Sequence, residues 1–264
     1  LYLFFSASSI FFANNLAEMG YDVCVITSKS KNYQLFDQEL ENYVSSKIKV
    51  IKISSLEPAK FFKSNNSNSD NINSDGLFNK IKLFIRANFF FPDSRKFWIN
   101  KVVKTAIKYI NSNEIDYLIT SSPPFSLNII GYKIKSKTNI KWISDCRDPW
   151  SDFFQFRIMP MSNYIFNKHL KWEEICLKSA DSVIVTSPSL RNAYSKVNSN
   201  TYLINNGFVK YNEVNNSGLF NIVYSGLMKS SQNPILLWKV LADLCKSNES
   251  FKNDLKIKLI GDFD

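Results

Sequence analysis

Histidine is almost absent from this chain. The single one, His169, excludes a multi-histidine metal centre, and no other ligand cluster stands in its place. It lies on a predicted helix and reads first as structural, with a lone catalytic base as the alternative. Cys24, Cys146, Cys176 and Cys245 lie far apart, without zinc-ligand or redox spacing, and read as buried reduced thiols. The seven glycines form neither G-x-G-x-x-G nor a P-loop. Long apolar runs are also missing: Leu1–Phe5 falls far short of the roughly 20 residues that span a bilayer. Leu1–Phe12 lacks the basic start and cleavage pattern of a secretory signal. The expectation is a soluble cytoplasmic protein. The chain starts at Leu1 rather than Met and reads as a fragment.

The chain does have a substantial apolar share and an excess of cations. Hydrophobic residues make up 45% of the 264, which supports a sizeable core and argues against wholesale disorder. The formal net charge of +10 favours acidic partners: nucleic acid, an anionic membrane surface or phosphorylated substrates.

Short β-branched runs alternate with helical patterns along most of the chain. Strands are expected at Asp22–Thr27, Lys47–Ile53, Tyr117–Thr120, Lys141–Ser144, Ser182–Thr186, Thr201–Ile204, Phe220–Tyr224 and Leu255–Ile260. Helices are expected at Ser9–Met19, Phe125–Lys137, Tyr164–Lys178, Ser189–Lys196 and Pro234–Lys246. Ser187-Pro188 and Asn233-Pro234 supply helix-start chemistry. Such alternation implies an α/β fold with parallel sheets covered on both faces. Ser64–Ser74 is polar and low in complexity, and reads as a surface loop. Phe208–Gly218 reads as a linker between two α/β units. Residues 219–264 supply only about one β-α-β unit, too little to close a doubly wound domain, so the remainder of a second domain is expected to be missing.

In an open parallel sheet, ligands gather beyond the carboxyl ends of the strands. The exits here are Ser121-Ser122-Pro123-Pro124, Asp145–Trp150, Ser187-Pro188-Ser189, Asn205-Asn206-Gly207 and Ser225–Lys229. Each can be explained by turn-making alone. Asp145–Trp150 departs most from that explanation, because a turn does not need two aspartates, an arginine and a tryptophan in six residues. Arg147 is either held by Asp145 or Asp148 or offers its fork to a phosphate. Asp148 can orient a sugar hydroxyl, and Trp150 can provide an apolar platform for a sugar ring. The alternative is an internal Arg–Asp pair that fixes the loop. At Ser225–Lys229, Gly226 permits close backbone approach to a ligand, the following helix start attracts phosphate, and Lys229 adds a charge.

Leu77–Ile110 carries eight basic residues against the single acid Asp93, with Leu77, Phe78, Ile81, Phe84, Ile85 and Phe89 at helical spacing. A basic, aromatic, amphipathic helix suits an anionic bilayer surface. The competing reading is a core-facing helix with solvated lysines.

Several of these stretches together resemble one family. Asp116–Trp150 resembles the acceptor domain of family 4 glycosyltransferases, retaining enzymes of the GT-B fold built from two Rossmann-like domains. Many members carry a D-x-x-x-x-S-x-P-P strand exit, then a strand ending in RDPW or RDLW. Here these are Asp116, Ser121 or Ser122, Pro123-Pro124 and Arg147-Asp148-Pro149-Trp150. Ala180-Asp181, Val183-Ile184 and Asn206-Gly207-Phe208 match the run into the domain crossover. Tyr224, Gly226, Asn233 and Pro234 match the opening of the donor domain. Two features depart from the family pattern. Ser6-Ala7-Ser8-Ser9 stands where a glycine-rich turn is usual, which suggests a first strand before Leu1. Leu227 and Gln232 stand near the places of a basic pair, for which Lys229 substitutes imperfectly. The paired glutamates that bind the donor lie beyond Asp264.

The resemblance implies an acceptor domain over 1–207, a linker over 208–218, and the start of a truncated donor domain over 219–264. It implies transfer of a sugar from a UDP- or GDP-activated donor to an acceptor hydroxyl, with retention, plausibly in surface polysaccharide or lipopolysaccharide assembly. Arg147 and Asp148 are the catalytic candidates. Ser122, Trp150, Asn206 and Gly207 are the substrate-binding candidates, and Gly226 and Lys229 the donor-phosphate candidates, with the two turns expected to line a shared crevice. The fragment alone is expected to be inactive. No metal and no cofactor is expected, the nucleotide-sugar being a substrate. The acceptor is expected to be a saccharide or a lipid-linked species, with the protein peripheral at the inner membrane face through Leu77–Ile110. Nucleic acid is not expected as a partner. A GT-B-like sugar-nucleotide epimerase and a degenerate, non-catalytic binding module stay open as alternatives.

Overall fold

The computed structural model describes residues 2–3, 7–29, 42–54, 77–207, 218–228 and 230–263. The Ser64–Ser74 loop, nearly all of the Phe208–Gly218 linker, Ser6 and Lys229 lie outside the described residues. Contacts divide the chain into two compact units, Leu1–Gly207 and Phe208–Asp264.

The first unit is built on seven parallel strands: β1 (Tyr2–Leu3), β2 (Cys24–Ser28), β3 (Lys49–Ile53), β4 (Tyr117–Ser122), β5 (Lys141–Cys146), β6 (Ser182–Val185) and β7 (Thr201–Leu203). Their spatial order is β3-β2-β1-β4-β5-β6-β7. This is the doubly wound, Rossmann-like order, and the winding reverses between β1 and β4. Tyr2–Leu3 itself takes the central place, with Tyr2 opposite Val25 on one side and Ile119 on the other. Within this chain, Tyr2–Leu3 thus holds the first-strand position of the sheet.

Helices α1 (Ala7–Glu18), α2 (Leu77–Phe89), α3 (Ile99–Asn111), α4 (Ser126–Lys135), α5 (Phe154–Ile158), α6 (Asn163–Ser179) and α7 (Pro188–Tyr194) connect the strands. α4 packs against both α3 and α6. The main core holds Ile26, Leu118, Ile130 and Trp142, whereas a smaller core under α1 holds Ala13, Ala17 and Val25, with Ile119 packed against it. Neighbouring strand residues point to opposite faces, so Val25 against Ile26 and Leu118 against Ile119 put α1 on the other face of the sheet. Both faces are therefore covered, as strand–helix alternation predicts. Gly131 on α4 allows a close approach: a Cβ there would lie 2.3 Å from Trp142 Cε2. The Trp142 indole is fully buried and its Nε1 donates to Thr120 Oγ1 at 2.9 Å.

The basic stretch Leu77–Ile110 is two helices rather than one, interrupted at Phe90–Trp98 around Pro92, whose missing N–H and fixed φ stop the first helix. α3 turns Ile99, Val102, Val103 and Ala106 inward and Lys101, Lys104 and Lys108 outward, the ordinary pattern of a core-facing helix. On α2, Ile81, Phe84 and Phe89 face outward.

The second unit contains β8 (Phe220–Ser225), α8 (Ile235–Ser247), α9 (Glu249–Asp254) and β9 (Leu255–Ile260). The two strands pair in parallel, with Phe220 opposite Leu255 and Ser225 opposite Ile260. Val223, Leu236, Val240, Ile257 and Leu259 stay exposed. Asn233 does not cap α8; its Oδ1 accepts from Trp238 Nε1 at 2.7 Å.

Candidate active site at the strand exits

The carboxyl ends of β4, β5 and β6 come together beside the point where the winding reverses. Arg147 N–H donates to Ser122 O at 2.9 Å, continuing the β4–β5 ladder one residue past the strands. Asp145 is buried at the end of β5, and its Oδ2 accepts from Ser121 Oγ at 2.6 Å and from Arg147 Nε at 3.1 Å. Of the two aspartates weighed as the partner of Arg147, Asp145 is the one the geometry selects. Behind the turn, Thr186 Oγ1 donates to Arg147 O at 2.9 Å, so the exit of β6 supports the exit of β5.

Glu173 on α6 braces the other half of the turn. Its Oε1 accepts from Trp150 N–H at 3.0 Å and from the Tyr194 hydroxyl, and its Oε2 accepts from Ser151 N–H at 3.2 Å. Tyr194 on α7 also accepts from Trp150 N–H at 3.0 Å. Burial, with Cys146 and Glu173 nearby, pushes the Tyr194 phenol up, so it remains a donor. One helical turn before Glu173, His169 Nδ1 accepts from Trp150 Nε1–H at 2.9 Å. Burial, with Lys168 adding repulsion, lowers the His169 pKa to about 4. The imidazole is therefore neutral, its proton on Nε2, and acts as an acceptor rather than a base.

These partners correct the reading of Trp150. The indole is 1% exposed, stacked on Phe125 with centroids 5.4 Å apart and planes 2° from parallel. Its faces are covered, so it cannot serve as a platform for a sugar ring; it anchors the turn. Asp148, by contrast, is exposed at the tip and makes no ion pair or hydrogen bond among the described residues. The turn is thus held rigidly on both flanks and presents one open carboxylate, with the Arg147 side chain beside it 24% exposed. Such bracing is how a site fixes a reactive group without relying on a mobile loop.

Ser122 closes β4, and its hydroxyl is buried with no hydrogen-bond partner among the described residues, as is that of Ser126 at the start of α4. The Ser126 N–H is capped from elsewhere: Asp93 Oδ2 accepts it at 2.7 Å, and Asp93 Oδ1 accepts Arg95 N–H at 2.8 Å. Burial pushes the Asp93 carboxyl up. Asn206 and Gly207 follow β7, exposed at the sheet edge three strands away from β4. A cavity of about 480 Å³ opens at the opposite end of the strands, by Asp116, Tyr117 and Lys141. It lies at the strand starts, where ligands of open parallel sheets do not gather.

In the second unit, Gly226 has φ +143° and Gly261 φ +131°. A Cβ on Gly261 would lie 2.1 Å from Gly226 O, so the two backbones meet where a side chain cannot fit. The Gly226 N–H donates to Ile260 O at 2.9 Å and is not open to a phosphate. The proximity that requires glycine here is to Gly261.

The sequence reading missed Glu173, Tyr194 and Asp93. A signal for Glu173 was present: Ile165, His169, Glu173 and Cys176 recur at helical spacing on the buried face of α6. A histidine and a glutamate in core positions need buried partners.

No model of a protein family and no curated protein matches this chain. Among solved structures, it is similar to a glycosyltransferase from Rickettsia africae ESF-5, with 15% identity and a TM-score of 0.45 over 97% of this chain. The chain spans 64% of the length of that protein. No helix among the described residues is long and apolar enough to cross a membrane. The chain is an α/β protein with parallel, Rossmann-like sheets.

Proposed function

We propose that the protein is a glycosyltransferase that moves a sugar from a UDP- or GDP-activated donor to an acceptor hydroxyl, with retention, in the assembly of a surface polysaccharide or lipopolysaccharide. The observation that carries this reading is the braced turn at the exit of β5. It sits beside the reversal point of a Rossmann-like sheet, where such sheets bind ligands. The motif resemblance of Asp116–Trp150 falls on this same turn and on the Ser121–Ser122 exit next to it.

In this reading the acceptor lies against the first unit. Asp148 accepts a hydrogen bond from an acceptor hydroxyl and orients it, while Arg147, held by Asp145, offers positive charge to an anionic group of the substrate. Ser122 supplies a nearby hydroxyl. Trp150 is kept as a structural anchor. Asn206 and Gly207 remain substrate-binding candidates on the edge of the sheet. The donor diphosphate is assigned to the second unit, at the turn from Gly226 to Lys229, through amides other than those of Gly226 and Met228, which donate to Ile260 O and Asp262 O. Charge on the leaving group is met by amides and cations, and the reading invokes no metal. A lipid-linked acceptor gives the basic, aromatic stretch Leu77–Ile110 a purpose at an anionic membrane face.

The test is release of nucleoside diphosphate from a panel of UDP- and GDP-sugars by a protein that carries this chain together with a complete donor domain, with and without lipid-extract acceptors. Acceptor-dependent release supports transfer. Interconversion of a UDP-sugar without acceptor supports the epimerase alternative. Absence of both turnover and nucleotide binding would leave only the non-catalytic module.

A further inference from the structure

Three lysines outside the strand-exit site share a groove that, among the described residues, contains no acid. It lies between the turn joining α2 to α3, the middle of α4, and α6. Phe91, Lys96, Phe97, Lys133, Lys168 and Trp172 line it, and its volume is about 350 Å³. All three lysines are half-buried. Lys96 Nζ donates to Phe89 O and lies 4.9 and 4.8 Å from the Phe90 and Phe97 ring centres. Lys133 Nζ donates to Asn100 Oδ1 at 3.2 Å, and Lys168 Nζ lies 4.4 Å from the Phe91 ring centre. None of these partners carries a negative charge. Elsewhere Lys135, Lys178 and Lys246 each meet a carboxylate. Half-burying three ammonium groups together, with no counter-charge among the described residues, costs desolvation and mutual repulsion, which an anion in the groove would offset.

The neighbouring surface identifies the source of that anion. Ile81, Phe84, Phe89 and Phe97 are 48%, 48%, 62% and 46% exposed. α2 is fixed in place rather than loosely attached: Asn88 Nδ2 donates to Pro160 O at 2.9 Å and Asn88 Oδ1 accepts from Ser162 N–H at 2.9 Å. A free phosphate compound has no use for exposed phenylalanines beside its site. A bilayer does, because apolar side chains enter the interface while lysines meet the headgroup phosphates.

We propose that this groove seats the phosphate of an anionic phospholipid headgroup, with Phe84, Phe89 and Phe97 entering the bilayer interface. The lysines of α3 are not part of it. The proposal rests on the glycosyltransferase reading only for its purpose, that of meeting a lipid-linked acceptor. Vesicle binding needs no donor sugar, so its failure would leave the transfer reading untouched.

Co-sedimentation with phosphatidylcholine vesicles, with and without phosphatidylglycerol, tests it. The protein should bind only the anionic vesicles. K96Q/K133Q/K168Q should lower the partition coefficient about 100-fold, at about fivefold for each lysine near the surface. K101Q/K104Q/K108Q, with the same loss of charge on α3, should bind nearly as the parent does. K96R/K133R/K168R should retain binding, which separates lost charge from lost folding. F84S/F89S should also weaken binding. Equal loss in the two glutamine triples would overturn the groove. So would undiminished binding by K96Q/K133Q/K168Q, or no vesicle binding at all. Full retention by F84S/F89S together with complete displacement by inorganic pyrophosphate would make it a soluble phosphate site and overturn the bilayer.

Discussion

Replacing Glu173 by alanine removes the acceptor for three donors: the N–H groups of Trp150 and Ser151 and the hydroxyl of Tyr194. Trp150 N–H keeps Tyr194 Oη as an acceptor at 3.0 Å. Ser151 N–H and the Tyr194 hydroxyl lose their partner. Each buried donor left unsatisfied costs about 1–3 kcal/mol, and a truncated buried side chain adds a cavity. The sum is roughly 3–5 kcal/mol, which for a domain of this size lowers Tm by about 10 °C. Glu173→Gln keeps the shape and one acceptor oxygen but turns an NH₂ group toward a donor, and should cost about half as much. Asp148→Asn changes only the exposed tip and should stay within about 0.5 kcal/mol of the parent. Thermal melts and urea titrations of the three variants separate bracing from function. Should Glu173→Ala melt as high as Asp148→Asn, the account of a turn clamped by α6 and α7 is wrong.

His169 is neutral in the fold, with a pKa of about 4, and becomes protonated in the unfolded chain below pH 6.5. The unfolded state thus binds the extra proton first. Stability is full above pH 6.5 and falls as pH drops toward 4, by at most about 3 kcal/mol. His169→Gln should flatten that slope in melts taken across the window. Gly131→Ala gains about 1 kcal/mol of helix propensity but drives a methyl group into the fixed Trp142 ring. Overpacking of about 1–3 kcal/mol or more wins, and Trp142→Phe in the same chain should recover part of it in a double-mutant cycle. Gly261→Ala should lower the melting temperature of the second unit, because its Cβ meets the Gly226 backbone, which cannot rotate aside. Near-parent melting would refute that close approach.

Much of this fold could be read from the chain alone, and the reasons are physical. β9 was placed residue for residue, and other strands within one or two residues, because parallel strands are short apolar, β-branched runs bounded by turn residues. Ser187-Pro188 marked the start of α7, where Ser187 Oγ accepts from Leu190 N–H at 3.3 Å. The strand order could not be read, since local pattern carries no information on which strand lies beside which. β1 escaped notice because two residues give no periodicity. The site was half legible. Arg147 and Asp145 stand two residues apart and their pairing could be foreseen, but Glu173 and Tyr194 reach the turn from 22 to 44 residues away. Trp150 was misread because an aromatic ring at a strand exit suits a sugar as well as a core, and only the Phe125 stack decides.

The central claim is that the braced turn carries out glycosyl transfer. Its most direct measurement is acceptor-dependent turnover of a nucleotide-sugar by a protein that carries this chain together with a complete donor domain, beside Asp148→Asn and Arg147→Ala variants checked for unchanged secondary structure. The account predicts that the parent converts one donor of the panel and that Asp148→Asn loses on the order of 100-fold in kcat at parent-like stability. Undiminished turnover in the folded Asp148→Asn protein would contradict it.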